Sequence, residues 1–296
     1  MLILFLGLAR NCEETLPAFF DYLGRLQSKG AECVAFIGEN GSRDQTRATI
    51  MRSGTSDVRL VDTACMNLEA ARLAKMAVGR QCVLEAARAK EGADYVCVMD
   101  LDNVMHEPPE TASLLQAIDC LEGRPDLFAI GASSYPVYYD LLSLRAEGHD
   151  YSALNEQIAK AKRNPLTYYR FHQRRIYANQ RIVTHSQPAL CTSSFNGCCL
   201  YKARYFFRGT YRSSDEARVC EHVTLNLSIA RASGKGMMIS PRLILRAPAD
   251  HVPVGLARFW TDRFVDAIRA VKGTAGEIVR RARRRLTLRN ALTNEM

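Results

Sequence analysis

Short apolar runs alternate with longer amphipathic stretches through the first third of the chain, the rhythm of strand-helix-strand units that build a parallel sheet. The pattern predicts strands at Leu2–Leu8, Glu32–Ile37, Val58–Asp62 and Tyr95–Met99, separated by helices over Glu13–Ser28, Asp44–Ser53 and Leu68–Lys90. One further strand follows at Phe128–Ala132, then a polar, basic stretch from Ala146 to Arg181 expected to form helices and a loop over the sheet. Apolar segments at Cys198–Tyr201 and Met237–Ile239 return to the core. The fold class expected is α/β, with a mostly parallel, Rossmann-like central sheet flanked by helices. There is no internal repeat and no low-complexity segment.

Polar, turn-forming residues fall just past the carboxyl ends of these strands: Ala9-Arg10-Asn11, Glu39-Asn40-Gly41-Ser42 and Asp100-Leu101-Asp102. In a doubly wound sheet that edge binds ligands. Asp100 and Asp102, one residue apart directly after a buried strand, can face one crevice. A hard divalent cation such as Mn²⁺ or Mg²⁺ takes few protein carboxylates and completes its shell with water and phosphate oxygens, so the pair suits a nucleoside diphosphate. Such pairs also arise by chance in surface turns. The turn after the second strand has two readings as well: Asp44 or Ser42 caps the next helix, or Glu39 and Asn40 meet a base or ribose.

The chain's 296 residues, 47% hydrophobic, suffice for one large domain. Its ten cysteines are irregularly spaced and often lie within apolar runs, which reads as reduced packing thiols. Cys198, Cys199, Cys220 and His222 lack the spacing of a zinc clip. The opening Met1-Leu2-Ile3-Leu4-Phe5-Leu6 lacks a basic flank and is too short to span a bilayer, so it reads as a buried strand in a cytoplasmic protein. Much of the formal charge of +9 gathers late, at Arg280-Arg281-Ala282-Arg283-Arg284-Arg285 and Arg289, after an amphipathic stretch with Phe259, Trp260, Phe264, Val265 and Ile268. The expected organisation is therefore a domain over 1–255 and a basic amphipathic tail over 256–296. That tail suits either a solvated, fraying helix or peripheral contact with anionic lipid at the inner membrane face.

The turn Glu39-Asn40-Gly41-Ser42-Arg43-Asp44 resembles the nucleotide-binding turn of GT-A glycosyltransferases. Further segments resemble the capsule-associated, cryptococcal-type mannosyltransferase-like branch: Gly79-Arg80-Gln81-Cys82-Val83-Leu84, Tyr138-Tyr139-Asp140-Leu141-Leu142-Ser143-Leu144-Arg145, Ser194-Phe195-Asn196-Gly197 and Cys220-Glu221-His222. Gln81 and Ser143 depart from that pattern, which carries Asn and Ala there.

The resemblance implies a metal-dependent transferase that uses a GDP- or UDP-sugar, mannose among the candidates, and a glycan or lipid-linked acceptor. It implies donor contacts from Ala9, Arg10, Glu39, Asn40, Arg80, Asp100 and Leu101, and metal ligation by Asp100, Asp102 and His251. Sugar or acceptor contacts would come from Asp140, Asn196 and Gly197. Glu221 would act as acid-base group, supported by His222; a helix-start acid is the plainer reading of Glu221.

A sugar-phosphate nucleotidyltransferase shares the carboxylates at the sheet edge, but such enzymes carry a Gly-rich loop after the first strand, and Gly7-Leu8-Ala9-Arg10-Asn11 is poor in glycine. A nucleic-acid-binding protein would account for the arginines and leave Asp100, Asp102 and Glu221 unexplained, so no nucleic-acid partner is expected.

Overall fold

The computed structural model describes residues 1–53, 57–182, 187–265 and 268. It divides into two units, Met1–Val252 and Pro253–Met296, whereas the sequence reading drew the division at 255/256. The arginine cluster at 280–289 lies outside the described residues.

The first unit begins with β1 (Leu2–Ala9), α1 (Leu16–Gln27), β2 (Glu32–Glu39), α2 (Thr46–Arg52) and β3 (Val58–Asp62). A 3-10 turn (Ala64–Leu68) leads into α3 (Arg72–Arg88), β4 (Tyr95–Met99), a second 3-10 turn (Asn103–His106), α4 (Thr111–Glu122) and β5 (Leu127–Tyr135). A third 3-10 turn (Leu141–Ser143) precedes the small hairpin of β6 (Arg145–Ala146) and β7 (His149–Asp150). Helices α5 (Leu154–Ala161) and α6 (Pro165–Phe171) follow, the latter joined through a π-helical stretch (His172–Tyr177) to α7 (Ala178–Ile182). The chain then forms β8 (Ala189–Cys191), β9 (Cys198–Lys202), α8 (Ala203–Phe206), α9 (Glu221–Ser233) and β10 (Gly236–Arg246).

Eight strands form one sheet in the order β3-β2-β1-β4-β9-β5-β10-β8. Neighbours β3-β2, β2-β1, β1-β4 and β5-β10 pair in parallel, while β9 and β8 run against their neighbours. The architecture is the mostly parallel α/β sheet that the strand-helix rhythm predicts.

Its core explains why the strands read as continuous apolar runs. Successive strand residues point to opposite faces. Ile3, Phe5, Cys33, Ala35, Ile37, Cys97 and Met99 join one apolar cluster with Leu16, Phe19 and Tyr22 of α1 and Leu114 and Ile118 of α4. Leu4, Leu6, Val34, Phe36, Val96 and Val98 join a second with Val83, Leu84 and Ala87 of α3 and Leu225 and Ile229 of α9. Covered on both sides, the central strands have no polar face to alternate with.

Helix α3 is buried over much of its circumference, including Leu73, Ala77, Gly79, Arg80, Val83 and Leu84. The 3-10 turn before it approaches so closely that a Cβ at Gly79 would meet Met66 Sδ at 2.5 Å, so this glycine sets the distance between the two segments. The registers that pair Ala9 with Glu39 across β1 and β2, and Leu6 with Val98 across β1 and β4, bring the loops after β1, β2 and β4 to one edge.

Candidate active site

Three loops and two helices meet at that edge. Strand β4 delivers Asp100 and Asp102, whose backbone is tied back to the 195–198 loop by the Asp100 N–H donating to the Gly197 carbonyl at 2.9 Å. Asp102 is exposed, and a quarter of the Asp100 side chain reaches solvent (26%). Leu101 between them turns the other way: its side chain is in the core and its carbonyl accepts from Thr15 Oγ1 at 2.6 Å.

Beneath Asp100 lies Arg80, brought in by α3 and only 4% exposed. Its Nη2 donates to Asp100 Oδ1 at 2.7 Å and its Nε to Glu221 Oε1 at 3.2 Å. The Phe195 ring lies 5.2 Å from its guanidinium carbon, within cation-π range. Burial alone would lower the arginine's pKa, and the two carboxylates outweigh it and raise it. Burial pushes the Asp100 pKa up to about 7; Arg80 opposes the shift, while the negative charges of Asp102 and Asp140 add to it. A cation arriving beside Asp102 would relieve that repulsion, so the carboxylate pair fits a divalent ion electrostatically. Among the described residues no group of three or more His, Cys, Asp or Glu side chains could by itself hold a metal ion. The pair matches the Mg²⁺-like habit of one or two carboxylates completed by water and phosphate.

Glu221, at the first residue of α9, is 5% exposed, with Oε1 on Arg80 and Oε2 3.7 Å from the Cys220 thiol. The acid-base role expected of it calls for an open carboxylate; the structure makes it the buried counter-charge of Arg80. His222, expected to support Glu221 or replace it, is 2% exposed. Its ring stacks on Phe195 at 3.5 Å between centroids, 10° from parallel, with the edge of Tyr211 at 5.9 Å. Burial, reinforced by Arg80 nearby, depresses its pKa well below the ordinary value, so it is a neutral packing ring.

At the turn after β2, Glu39 is 3% exposed and accepts from the Ser42 N–H at 2.7 Å and from Arg47 Nη1 at 3.1 Å. Burial raises its pKa, but these hydrogen bonds prevail and lower it. Its carboxylate is spent on the turn. The two carboxamides of Asn40 and Asn67 donate to each other at 3.1 Å. Asp44 accepts from the Thr46 N–H and hydroxyl and from the Glu13 N–H, stitching the loops after β1 and β2 together. Ala9 is buried at the end of β1 and Arg10 is exposed beside it.

Asn196, expected to contact sugar or acceptor, is held within the loops around it. Fully buried at φ 53°, its Oδ1 accepts from the Tyr139 and Asp140 N–H groups and from Ser134 Oγ, each at 3.2 Å, while its Nδ2 donates to the Ala132 carbonyl at 3.4 Å. Half-buried Asp140 accepts from the Ser143 and Asn196 N–H groups at 3.4 Å. Gly197, at φ 81°, is required twice over, since a Cβ there would overlap the Tyr139 hydroxyl.

Tyr139 is the site residue that sequence reasoning passed over. Its hydroxyl is buried without a hydrogen-bond partner, and burial, then the charges of Asp100, Asp140 and Asp102, hold its pKa well above the ordinary value. The His251 ring lies 5.3 Å from it, and Gln180 Nε2 reaches both the Tyr139 and His251 carbonyls, at 3.4 and 3.2 Å. His251, half-exposed, is thus carried to a ring that adjoins the carboxylates. The signal was in the sequence as the second Tyr of Tyr138-Tyr139-Asp140, masked because Tyr138 beside it is an ordinary core residue.

No family model matches the chain, and no curated protein matches it. Among solved structures it is similar to glucosyl-3-phosphoglycerate synthase of M. tuberculosis at 14% identity and TM-score 0.45, covering 86% of this chain and 74% of that one. The same enzyme in complex with Mn²⁺ and UDP-glucose matches at 14% identity and TM-score 0.44, covering 87% and 73%. Its complex with Mn²⁺, UDP and glucosyl-3-phosphoglycerate matches at 10% identity and TM-score 0.43, covering 87% and 74%.

The His222 environment has a measurable consequence. Its folded pKa is depressed below the ordinary value of about 6.5, so the unfolded chain binds the proton first, and the neutral ring's contribution to stability is present above about pH 6.5 and lost on acidification below it. His222→Phe keeps an aromatic ring on Phe195 and is expected to flatten the fall in Tm between about pH 6.5 and 5, as checked by thermal melts at each pH. An unchanged pH profile would show that the ring is protonated in the native state.

Proposed function

We propose that this chain is a divalent-cation-dependent glycosyltransferase that moves a hexose from a nucleoside-diphosphate donor to a hydroxyl of a glycan or lipid-linked acceptor. The observation that carries the reading is the pairing of Asp100 and the open Asp102 at the carboxyl end of β4 over the buried guanidinium of Arg80. Asp100 and Asp102 would hold Mn²⁺ or Mg²⁺, which when bound supplies positive charge to the departing diphosphate. Arg80 holds one Asp100 oxygen at 2.7 Å and so fixes the carboxylate that would take the ion. Arg10, exposed after β1, supplies charge to phosphate oxygens, and Asn40 meets the base or ribose. The buried, unpartnered Tyr139 hydroxyl, which feels the charges of Asp100, Asp140 and Asp102, would donate to a donor-substrate oxygen, while His251, whose ring is 5.3 Å from that of Tyr139, does not group with Asp100 and Asp102 as a third metal ligand. Asp140 is the group proposed to meet the sugar. The motif resemblance makes mannose the first sugar to try and GDP- and UDP-sugars the donors to compare.

The test is a panel of GDP- and UDP-sugars with Mn²⁺ scored by thermal stabilisation, since a ligand selective for the native state raises Tm. Asp102→Asn is expected to abolish the Mn²⁺-dependent rise with the unliganded fold intact, and Asp100→Asn, which also neutralises a partner of Arg80, to reduce the rise and to lower the unliganded Tm as well. A parent-like rise in Asp102→Asn would remove the metal site from β4.

Glu221→Gln separates two roles. As the counter-charge of Arg80, both side chains being about 5% exposed, its neutralisation is expected to cost roughly 3 kcal/mol of stability and to weaken nucleotide binding together with turnover. A general base predicts the reverse: unchanged stability and nucleotide Kd with turnover lower by about 10²-fold or more.

We also propose that the segment from 256 onward rests on an anionic lipid surface. Leu256, Trp260 and Phe264 are exposed, four residues apart in a helix over 256–265, and Ile268 follows at the same spacing. Residues 256–296 carry 10 Lys and Arg against 4 Asp and Glu, +6 of the chain's +9. An apolar stripe beside basic charge suits the headgroup boundary of acidic lipid. No helix among the described residues is long and apolar enough to cross a membrane. Full-length protein is expected to sediment with phosphatidylglycerol vesicles and not with phosphatidylcholine ones, and Trp260→Glu with Phe264→Glu to lose that binding. Binding that survives both changes, or a stripe consumed by self-association on sizing, overturns the lipid role.

A further inference from the structure

Eight of the ten cysteines are accounted for as packing thiols or as a lone exposed group: Cys12, Cys33, Cys97, Cys191, Cys198, Cys199 and Cys220 are buried and Cys120 is exposed without a neighbour thiol given for it. Cys65 and Cys82 differ from all of these. Both are part-exposed, and their sulfurs approach to 2.9 Å. That separation is inside the ordinary contact distance of two non-bonded sulfurs and less than an ångström beyond the length of a disulfide, about 2.05 Å. The buried pair Cys97 and Cys198 is farther apart, at 3.6 Å, and lies within the sheet where an oxidant in solution cannot reach it.

The pair joins two segments that the fold already presses together. Cys65 lies in the 3-10 turn Ala64–Leu68 and Cys82 in α3, 17 residues apart in sequence, with Met66 seated on Gly79 between them. The same turn carries Asn67, the partner of Asn40, and α3 carries Arg80. Cys82 follows Gln81, whose Oε1 accepts from the Thr210 hydroxyl and the Tyr211 N–H and so pins the helix face at this point.

We propose that Cys65 and Cys82 are a redox-active dithiol that closes to a disulfide by exchange with a low-molecular-weight disulfide, fastening the Asn67 segment to the helix that holds Arg80. One cysteine, as thiolate, attacks the small disulfide, forming a mixed disulfide and expelling one small thiolate. The other then displaces the second small thiol and completes the Cys65–Cys82 bond. The two protein sulfurs are oxidised by two electrons, the small disulfide is reduced to two thiols, and the two cysteine protons pass to them or to solvent. Both sulfurs are part-exposed, so either thiol can open the exchange and the other close it. The assignment is independent of the glycosyltransferase reading, because it rests on the sulfurs alone.

The experiment incubates the folded full-length chain with oxidised glutathione and maps its peptides without reduction. A peptide pair joining Cys65 to Cys82, lighter by two hydrogens and restored by dithiothreitol, is expected, together with a Tm about 5 °C or more above that of the reduced protein, as for a loop of this length. Cys82→Ala and Cys65→Ser are each expected to stop at a glutathione adduct on the remaining cysteine and to show no rise in Tm. A parent chain that stops at mixed adducts, that leaves Cys65 and Cys82 unmodified, or that links either to another cysteine overturns the proposal.

Discussion

The site depends on one buried cation. Arg80 sits 4% exposed in a helix packed against a sheet, a place where an unpaired guanidinium would not be tolerated. It stands because β4 brings Asp100 to one side of it and α9 brings Glu221 to the other. Removing one partner from such a pair typically costs about 3–5 kcal/mol, because the remaining charge is left desolvated. The triad therefore fixes the relative position of α3, β4 and the start of α9. It also leaves Asp100 electrostatically overfull: Arg80 satisfies one oxygen, while Asp102 and Asp140 repel the charge of the group as a whole. A structural ion pair and a cation-seeking carboxylate are the same residue.

The acids at this edge sort by how many donors they already serve. Glu39 accepts from a turn N–H and an arginine, Asp44 from three groups that lock two loops, and Glu221 from Arg80. Asp140 is intermediate, half-buried with two long N–H contacts. Asp102 is the exposed member, and Asp100 has one oxygen facing it. Sequence shows all of these as acidic residues near strand ends; only coordinates show which have been consumed by the backbone.

That difference explains what was legible. Strands β1, β2, β3 and β4 were readable because both faces of the sheet are covered, so burial leaves long apolar runs, and β3 and β4 coincide with their sequence ranges. Helices α1, α2 and α3 were readable but drawn a few residues too long, because flanking turns and the 3-10 segment Ala64–Leu68 share their composition. Helix α4 was not drawn, and of α9 only the start was considered, in the plainer reading of Glu221. Their apolar positions carry small or polar residues between them, such as Thr224, Asn226 and Ser228, so no run stands out. The edge strand β8 is three residues long and largely exposed, too short to leave a period. Asp100 with Asp102 was legible from its position alone, whereas the burial of Glu221, His222 and Asn196 depends on partners that are 141, 27 and 57 residues away in sequence, such as Arg80, Phe195 and Tyr139.

The motif Phe195-Asn196-Gly197 shows how one short segment positions the residues around it. Phe195 lies between the Arg80 guanidinium and the neutral His222 ring, so it excludes water from the buried cation. Asn196 fastens the segment that carries Tyr139 and Asp140. Gly197 offers its carbonyl to the Asp100 N–H and, lacking a Cβ, the room for the Tyr139 hydroxyl. Three adjacent residues thus set the solvent exclusion, the loop position and the clearance around the carboxylates. A larger residue at 197 would displace the tyrosine ring, and with it the contact to His251, before it reached any ligand. The chemistry at the sheet edge is consequently as sensitive to this loop as to the two aspartates themselves.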